Sequence, residues 1–171
     1  MMAGRAVALR EDQIRRYARH VLLPDVGGRG QERLLGARVR VELGPERAAE
    51  AAALAYLAAA GVGTLVLAGD VDGPLGDDEA ARGILYGAAD RGRPRGEAAR
   101  ARIAALNPDV TIEVGDRGGA LGLSEELEAD AGGPPEAAHQ ADPGLAVADA
   151  LARGGAAACR LLVRIARQRT S

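Results

Sequence analysis

The chain has 171 residues, enough for one domain with a core, and 47 % of them are apolar. Aromatics reach only 2 %, with no Trp and no Phe, so the core has to be assembled from Ala, Val, Leu and Ile. A net charge of −2 argues against a nucleic-acid or membrane surface over the whole chain. No run of about 18 apolar residues offers a transmembrane span. The opening Met-Met-Ala-Gly-Arg has no apolar signal core, so a cytoplasmic location is expected.

All 22 basic residues are arginine, so no step that depends on lysine is available. The single cysteine, Cys159, excludes an internal disulfide and a cysteine metal site. It lies among Ala156, Ala157, Ala158 and Leu161 and reads as a buried small hydrophobe rather than a thiol carrier. Charge is uneven. Residues 1–40 carry nine Arg against four acids, and residues 109–150 one Arg against ten acids. These are either two solvated faces or two ends that meet, within one subunit or across a dimer.

In chain order, Glu11-Asp12-Gln13 opens a helix running to about His20, with acids in its first turn. Gly27-Gly28-Arg29-Gly30 reads as a loop and Gln31 to Leu35 as a short helical turn stopped by Gly36. Val39 to Leu43 alternates apolar and charged residues and reads as a strand with a wet side or an edge position. Pro45 to Ala60 is an Ala-rich helix with Pro at its first position and Gly61 beyond its end. Thr64 to Ala68 is apolar throughout and reads as a strand buried on both faces. Gly69 to Pro74 is a turn, Asp77 to Tyr86 a helix and Arg91-Gly92-Arg93-Pro94 a loop. Arg95 to Leu106 is an amphipathic helix terminated by Asn107-Pro108, and Val110 to Val114 a third strand.

Gly115 to Gly144 is rich in Gly, Ala, Pro and acids and reads as loop or linker around a short helix at Ser124 to Asp130. Leu145 to Arg167 is a long final helix. Leu151, Ala158, Leu161, Leu162 and Ile165 form its apolar stripe, and Arg160, Arg164 and Arg167 its wet face. The expected fold is therefore α/β, a Rossmann-like parallel sheet of about three strands flanked by helices, with an N-terminal helix and a long C-terminal one. Its expected segments are a helical entry (1–36), an α/β core (37–115), an acidic linker (116–143) and a C-terminal helix packed on the core (144–171).

The passage from Val39 to Glu50 is where a nucleotide-binding α/β protein places its glycine-rich phosphate loop. Such a loop needs glycines so that main-chain N–H groups can approach the anion without Cβ interference. Only Gly44 is in place. Pro45 has no N–H, and Glu46 brings negative charge to the positive end of the helix.

Several blocks together resemble the ThiF/MoeB/HesA proteins, prokaryotic relatives of ubiquitin-activating enzymes. They are Arg16 to Gly27, Gly30 to Leu35, Ala37 to Val39, Tyr56 to Leu65, Ile84-Leu85-Tyr86, Gly92-Arg93-Pro94-Arg95 and Ala105 to Val110. They cover roughly residues 13 to 114 in the family's order. The resemblance implies ATP binding on a Rossmann-like sheet and adenylation of the C-terminal glycine of a ubiquitin-like protein.

It also assigns residues. Gly44 matches the first glycine of Gly-x-Gly-Gly-Leu-Gly, with Glu46, Arg47 and Ala49 replacing the others. Asp70 and Asp72 resemble an Asp-x-Asp that holds ribose and metal, one residue late. Arg82 fits the arginine of a phosphate-contacting Asn-x-x-Arg, with Glu79 in the asparagine's place. Arg95 stands where Gly-Arg-Pro-Lys supplies a phosphate-binding lysine. Arg19 matches an arginine sent into the partner subunit's ATP site. The family's later Asp-x-x-Asp-Asn, which supplies a catalytic metal-binding aspartate, and its Cys-x-x-Cys pair are not found here.

Plainer roles stand beside these. Asp70 and Asp72 also suit a turn, Arg82 and Arg95 a solvated helix, His20 a structural contact, and His139 lies in the linker. Each lost or repulsive phosphate contact removes about 1–3 kcal/mol of binding. The expectation is a degenerate member without adenylation activity, acting as a dimeric scaffold or carrier-protein-binding module with no cofactor. One alternative is an active adenylyltransferase using ATP and Mg²⁺ on a ubiquitin-like or sulfur-carrier protein. Another is the regulatory subunit of a heterodimer whose Arg19 completes an intact homologue's site.

Overall fold

The computed structural model describes residues 9–44, 47–115, 121–123, 126 and 143–168. The entry helix expected over 11–20 is two helices, α1 (Glu11–Arg16) and α2 (Ala18–Val21), parted at Tyr17. There the backbone leaves helical geometry (φ −100°, ψ 18°) as the Tyr17 ring turns into the core. Helix α3 (Gly27–Gly36) begins four residues earlier than its sequence suggests, so Gly27 to Gly30 is helix and not loop. Tertiary packing outweighs the low helix propensity of the glycines here. Gly30 is buried where a Cβ would press on Val26 and on Ala166 of the final helix.

Strands β1 (Arg38–Leu43), β2 (Thr64–Gly69), β3 (Thr111–Val114) and β4 (Leu121–Gly122) form one parallel sheet in the order β3-β2-β1-β4. Val39 lies opposite Leu65, which lies opposite Ile112. The sheet thus has four strands rather than three, and β4 falls within the segment read as loop or linker. Two residues just after Gly118-Gly119 are too few to show strand periodicity. Their pairing with Val39 and Arg40 places β1 inside the sheet over that stretch. Its wet side is as expected. Val39, Val41 and Leu43 are buried, while Arg38, Arg40 and Glu42 lie on the other face. Arg38 reaches past β2 to Glu113 with two parallel bonds of 2.7 and 2.6 Å.

Helices α4 (Arg47–Ala60), α5 (Asp77–Arg82), α6 (Arg95–Leu106) and α7 (Pro143–Arg167) complete the described elements, with a 3₁₀ turn at Ala88–Asp90. One core joins Val39, Val41, Leu65, Leu67 and Ile112 of the sheet to Leu54 and Leu57 of α4, Ile103 of α6 and Leu161 and Ile165 of α7. Small residues set the spacing of α4 and α7. A Cβ on Gly154 would overlap the Ala49 carbonyl oxygen. Of the predicted stripe on α7, Ala158, Leu161 and Ile165 are fully buried. Cys159 is exposed, contrary to expectation, because it projects one step round the helix from that stripe. His139, and Ser124 to Asp130 apart from Glu126, lie outside the described residues.

The basic and acidic ends meet within the subunit. Asp109 accepts hydrogen bonds from Arg10 (2.6 Å), Gln13 (3.2 Å), the Tyr17 hydroxyl (3.0 Å) and Arg16. Asn107 donates to the Tyr17 hydroxyl (2.9 Å) and to the Ala58 carbonyl (2.7 Å). His20 and the buried Gln31 are 3.0 Å apart, and Gln31 donates to the Ala60 carbonyl, so His20 has a structural contact. Helix α4 ends beside this knot. Gly61 N–H donates to Ala58 O and Val62 N–H to Leu57 O, a Schellman closure that requires the left-handed φ of +82° at Gly61.

Two outcomes follow for stability. At Gly61 a side chain meets both the positive φ and the Tyr17 ring, which lies 2.5 Å from where a Cβ would sit. Gly61→Ala should therefore cost about 2–4 kcal/mol, read as a lower urea midpoint, against about 1–2 kcal/mol for Tyr17→Phe. Burial alone would push the Asp109 carboxyl up. The bonds from Arg10, Gln13, Tyr17 and Arg16 outweigh it and hold the group below the usual carboxylate range. A depressed folded-state value gives stability that is complete above the unfolded value of about 3.9 and lost as pH falls toward the folded one. Asp109→Asn should flatten the fall in thermal midpoint between about pH 4 and pH 2.

Candidate functional site

The turn after β2 and the loop before α6 run antiparallel and share main-chain bonds. Leu75 N–H donates to Arg93 O, Gly92 N–H to Leu75 O, Arg95 N–H to Gly73 O and Gly96 N–H to Val71 O, at 2.8–3.0 Å. The last two satisfy donors of the first turn of α6, which has no side-chain cap. They also fix Arg95, the first residue of that helix, over the Asp70 turn. The loop is braced from behind by Asp90, which is 2 % exposed. Its carboxylate accepts from Gly87 N–H (3.0 Å), Arg93 (2.9 Å) and Arg102 (2.5 Å).

Arg95 is buried, not solvated as a surface helix residue would be. Its Nε and Nη2 donate to the two Glu79 oxygens at 3.0 and 3.2 Å, and its Nη1 to Asp70. Glu79 also accepts from Gly76 N–H (3.0 Å), capping α5, and from Arg47 at the start of α4 (3.1 Å). Burial works to raise the Glu79 carboxyl. The bonds from Arg95 and Gly76 and the charges of Arg95 and Arg47 overcome it and hold the group below the usual range. The Glu79 bond pushes the Arg95 guanidinium further up, so both partners stay charged.

At the end of β1, Gly44 N–H donates to a Glu50 carboxylate oxygen at 2.9 Å. Glu50 is 5 % exposed and lies in the first turn of α4. A main-chain donor that a phosphate loop would offer an anion is thus engaged by the protein's own carboxylate. A cavity of about 310 Å³ opens beside these groups, between α4, α5 and α7, lined by Arg47, Ala51, Gly76, Glu79 and Val147 among others.

Gly44, Asp70 and Arg95 therefore meet at the carboxyl ends of β1 and β2, where open α/β sheets bind ligands. Glu79 joins them as the acid between two arginines. Asp72 is exposed on the same turn but is not drawn into the cluster. Arg19 is exposed on α2, which precedes β1 in the chain, and is not part of this cluster. Arg82 ends α5, and its side chain lies outside the described residues, as do Pro45 and Glu46. Among the described residues no three His, Cys, Asp or Glu side chains converge as a metal cage. The donor set fits an anion only when Arg95 and Gly44 exchange their internal carboxylates for it. Motif spacing does not mark Glu50. An acid six residues after the loop glycine is the signal that was present.

The sequence profile of the ThiF family matches residues 17–118. Over 110 residues the chain is 42 % identical to a protein described as probable adenylyltransferase/sulfurtransferase MoeZ of Mycobacterium tuberculosis, covering 64 % of this chain and 27 % of that one. Over 97 residues it is 42 % identical to the sulfur carrier protein ThiS adenylyltransferase of Escherichia coli K12, covering 57 % and 37 %. The chain thus spans about a quarter to two fifths of the length of these relatives. Among solved structures PaaA superposes with a TM-score of 0.56 at 26 % identity, over 74 % of this chain and 42 % of that one. With the family profile covering more than half its length, this chain belongs to the ThiF family.

Proposed function

We propose that this chain works in the activation of a sulfur-carrier or ubiquitin-like protein and contributes the nucleotide-facing half of an adenylyl-transfer site. The observation that carries this reading is the meeting of Gly44, Asp70, Glu79 and Arg95 at the carboxyl ends of β1 and β2. Its relatives include adenylyltransferases, one of them described as acting on the sulfur carrier ThiS. In such a reaction a carboxylate of the carrier's C-terminus attacks the α-phosphorus of ATP. A new P–O bond forms to the carboxylate oxygen, and the bond to the bridging oxygen breaks, releasing pyrophosphate with its electron pair. Arg95 would hold phosphate oxygens by two parallel bonds. Asp70 and Asp72 would be the residues to hold a Mg²⁺ arriving with the nucleotide. A homodimer, or a dimer with a longer homologue, would receive the exposed Arg19.

One observation favours a second reading, a scaffold that binds the carrier without adenylating it. Two anion donors of the site, Arg95 and Gly44 N–H, are held by carboxylates of the chain itself. Displacing each costs about 1–3 kcal/mol, so the two together lower affinity for a phosphate chain by roughly two orders of magnitude or more. ATP–pyrophosphate exchange with a panel of sulfur-carrier and ubiquitin-like proteins separates the readings. The adenylating reading expects exchange above background that falls at least 100-fold in Arg95→Ala. Absent exchange, with no heat on titrating Mg·ATP but measurable carrier binding, leaves the scaffold.

A further inference from the structure

The geometry points to an anion site that the protein closes with its own carboxylate: Glu79, with Asp70, occupies the two-arginine cradle of Arg47 and Arg95 and competes with any phosphate-bearing ligand for it. The inference rests on reading this corner as the phosphate end of the site, and deepens it by naming the groups that set access.

Three observations carry it. First, Glu79 sits between two guanidiniums, bidentate to Arg95 and 3.1 Å from Arg47, as a bound anion would. Its side chain is 9 % exposed, and that of Arg95 is 5 % exposed, so the pair is shielded from solvent screening. Second, the third polar edge of Arg95 is taken by Asp70, whose side chain is half exposed. The cradle is therefore neutral, two arginines against two acids, and an incoming anion meets no net positive field until an acid gives way. Third, there is room for a ligand. The cavity of about 310 Å³ is lined by Arg47 together with Asp77, Asp78 and Glu79, and not by Arg95 or Asp70, so an anion arriving there faces the Arg47 guanidinium that Glu79 holds, against the charge of the flanking acids.

A neutral side chain at position 79 keeps the size of the group and the cap on Gly76 N–H while removing the competing charge. Glu79→Gln should therefore open the cradle. Asp70→Asn should open it partly, and since Asp70 is half exposed that variant should fold whatever happens at position 79.

The test is calorimetric titration of the full chain with inorganic pyrophosphate, without nucleotide, metal or carrier, for the wild type and for Glu79→Gln, Asp70→Asn and Glu79→Gln/Arg95→Gln. Pyrophosphate should bind Glu79→Gln at least tenfold more tightly than wild type, and Asp70→Asn several-fold more tightly. The gain should disappear in the double variant. Equal affinities in wild type and both single variants would overturn the inference, as would no binding by either at ten-millimolar ligand. Because no carrier or nucleotide is involved, failure here is distinguishable from failure of the adenylation reading. A chain that never shows exchange can still gain pyrophosphate binding in Glu79→Gln, and an exchanging chain can show none of the competition.

Discussion

A guanidinium withdrawn from water has to be neutralised where it lies, and at the carboxyl end of this sheet that guanidinium belongs to Arg95. Arginine does not shed its proton, so burial cannot be relieved by deprotonation as it is for lysine. The chain supplies two acids instead, and each is placed by a different piece of backbone. Asp70 comes from the turn after β2, which is held to Leu43 O by its own N–H at 2.8 Å. Glu79 comes from the first turn of α5, whose Gly76 N–H it also caps. Removing either acid alone would leave charge uncompensated in a low-dielectric setting, where breaking a buried pair costs about 3–5 kcal/mol. The half exposure of Asp70 reduces that figure on its side, because water can take its place. The turn, α5 and the start of α6 are thus joined through one positive charge as well as through the main-chain bonds of Arg95 and Gly96 to the turn.

The same internal use of carboxylates governs the loop after β1. Gly44 N–H points where an external anion would be received, and Glu50 receives it from within. Glu50 lies in the first turn of α4, where negative charge is favoured by the helix dipole, so the contact stabilises the helix start as well as the donor. Binding and folding therefore draw on the same groups. A ligand able to displace Glu50 and Glu79 takes over roles that the folded state has already filled, and its net affinity is the difference between two similar sets of bonds.

Much of this was legible in the sequence. The alternation of Val39, Val41 and Leu43 with Arg40 and Glu42 reported the wet face of β1, and the apolar run of Thr64 to Ala68 reported a strand buried between neighbours. Arg95 to Leu106 carried its own start and stop, and its bounds in the structure are the same. The family resemblance, not local pattern, implied one site for Gly44, Asp70, Asp72, Arg82 and Arg95, and of these the structure sets Gly44, Asp70 and Arg95 at the same end of the sheet. What escaped was tertiary. Gly27 to Gly30 has little local helix preference, and its helix exists because Gly30 lets α3 approach α7. Leu121-Gly122 is a strand only because β1 offers it an edge. Arg95 has the spacing of a surface residue on α6, and its burial depends on Glu79, sixteen residues earlier and in another helix.

The uneven charge of the chain has the same physical basis. Arginines concentrated before residue 40 and acids after residue 109 leave each end strongly charged in the unfolded chain. Folding brings Arg10 and Arg16 to Asp109, and Arg38 to Glu113, across more than seventy residues of sequence. Pairs such as Arg38 with Glu113 are partly exposed, and each contributes about 1 kcal/mol or less. Asp109 differs, because it is buried and also accepts from Gln13 and Tyr17, so the entry helices are positioned through one carboxylate rather than through a diffuse attraction. At both ends of the sheet, then, the chain fixes its backbone by giving a buried charge several partners: arginine at the carboxyl end, aspartate at the amino end. At the carboxyl end those partners are carboxylates, the kind of group whose place a phosphate would take, whereas at the amino end they are donors that tie the entry helices to Asp109.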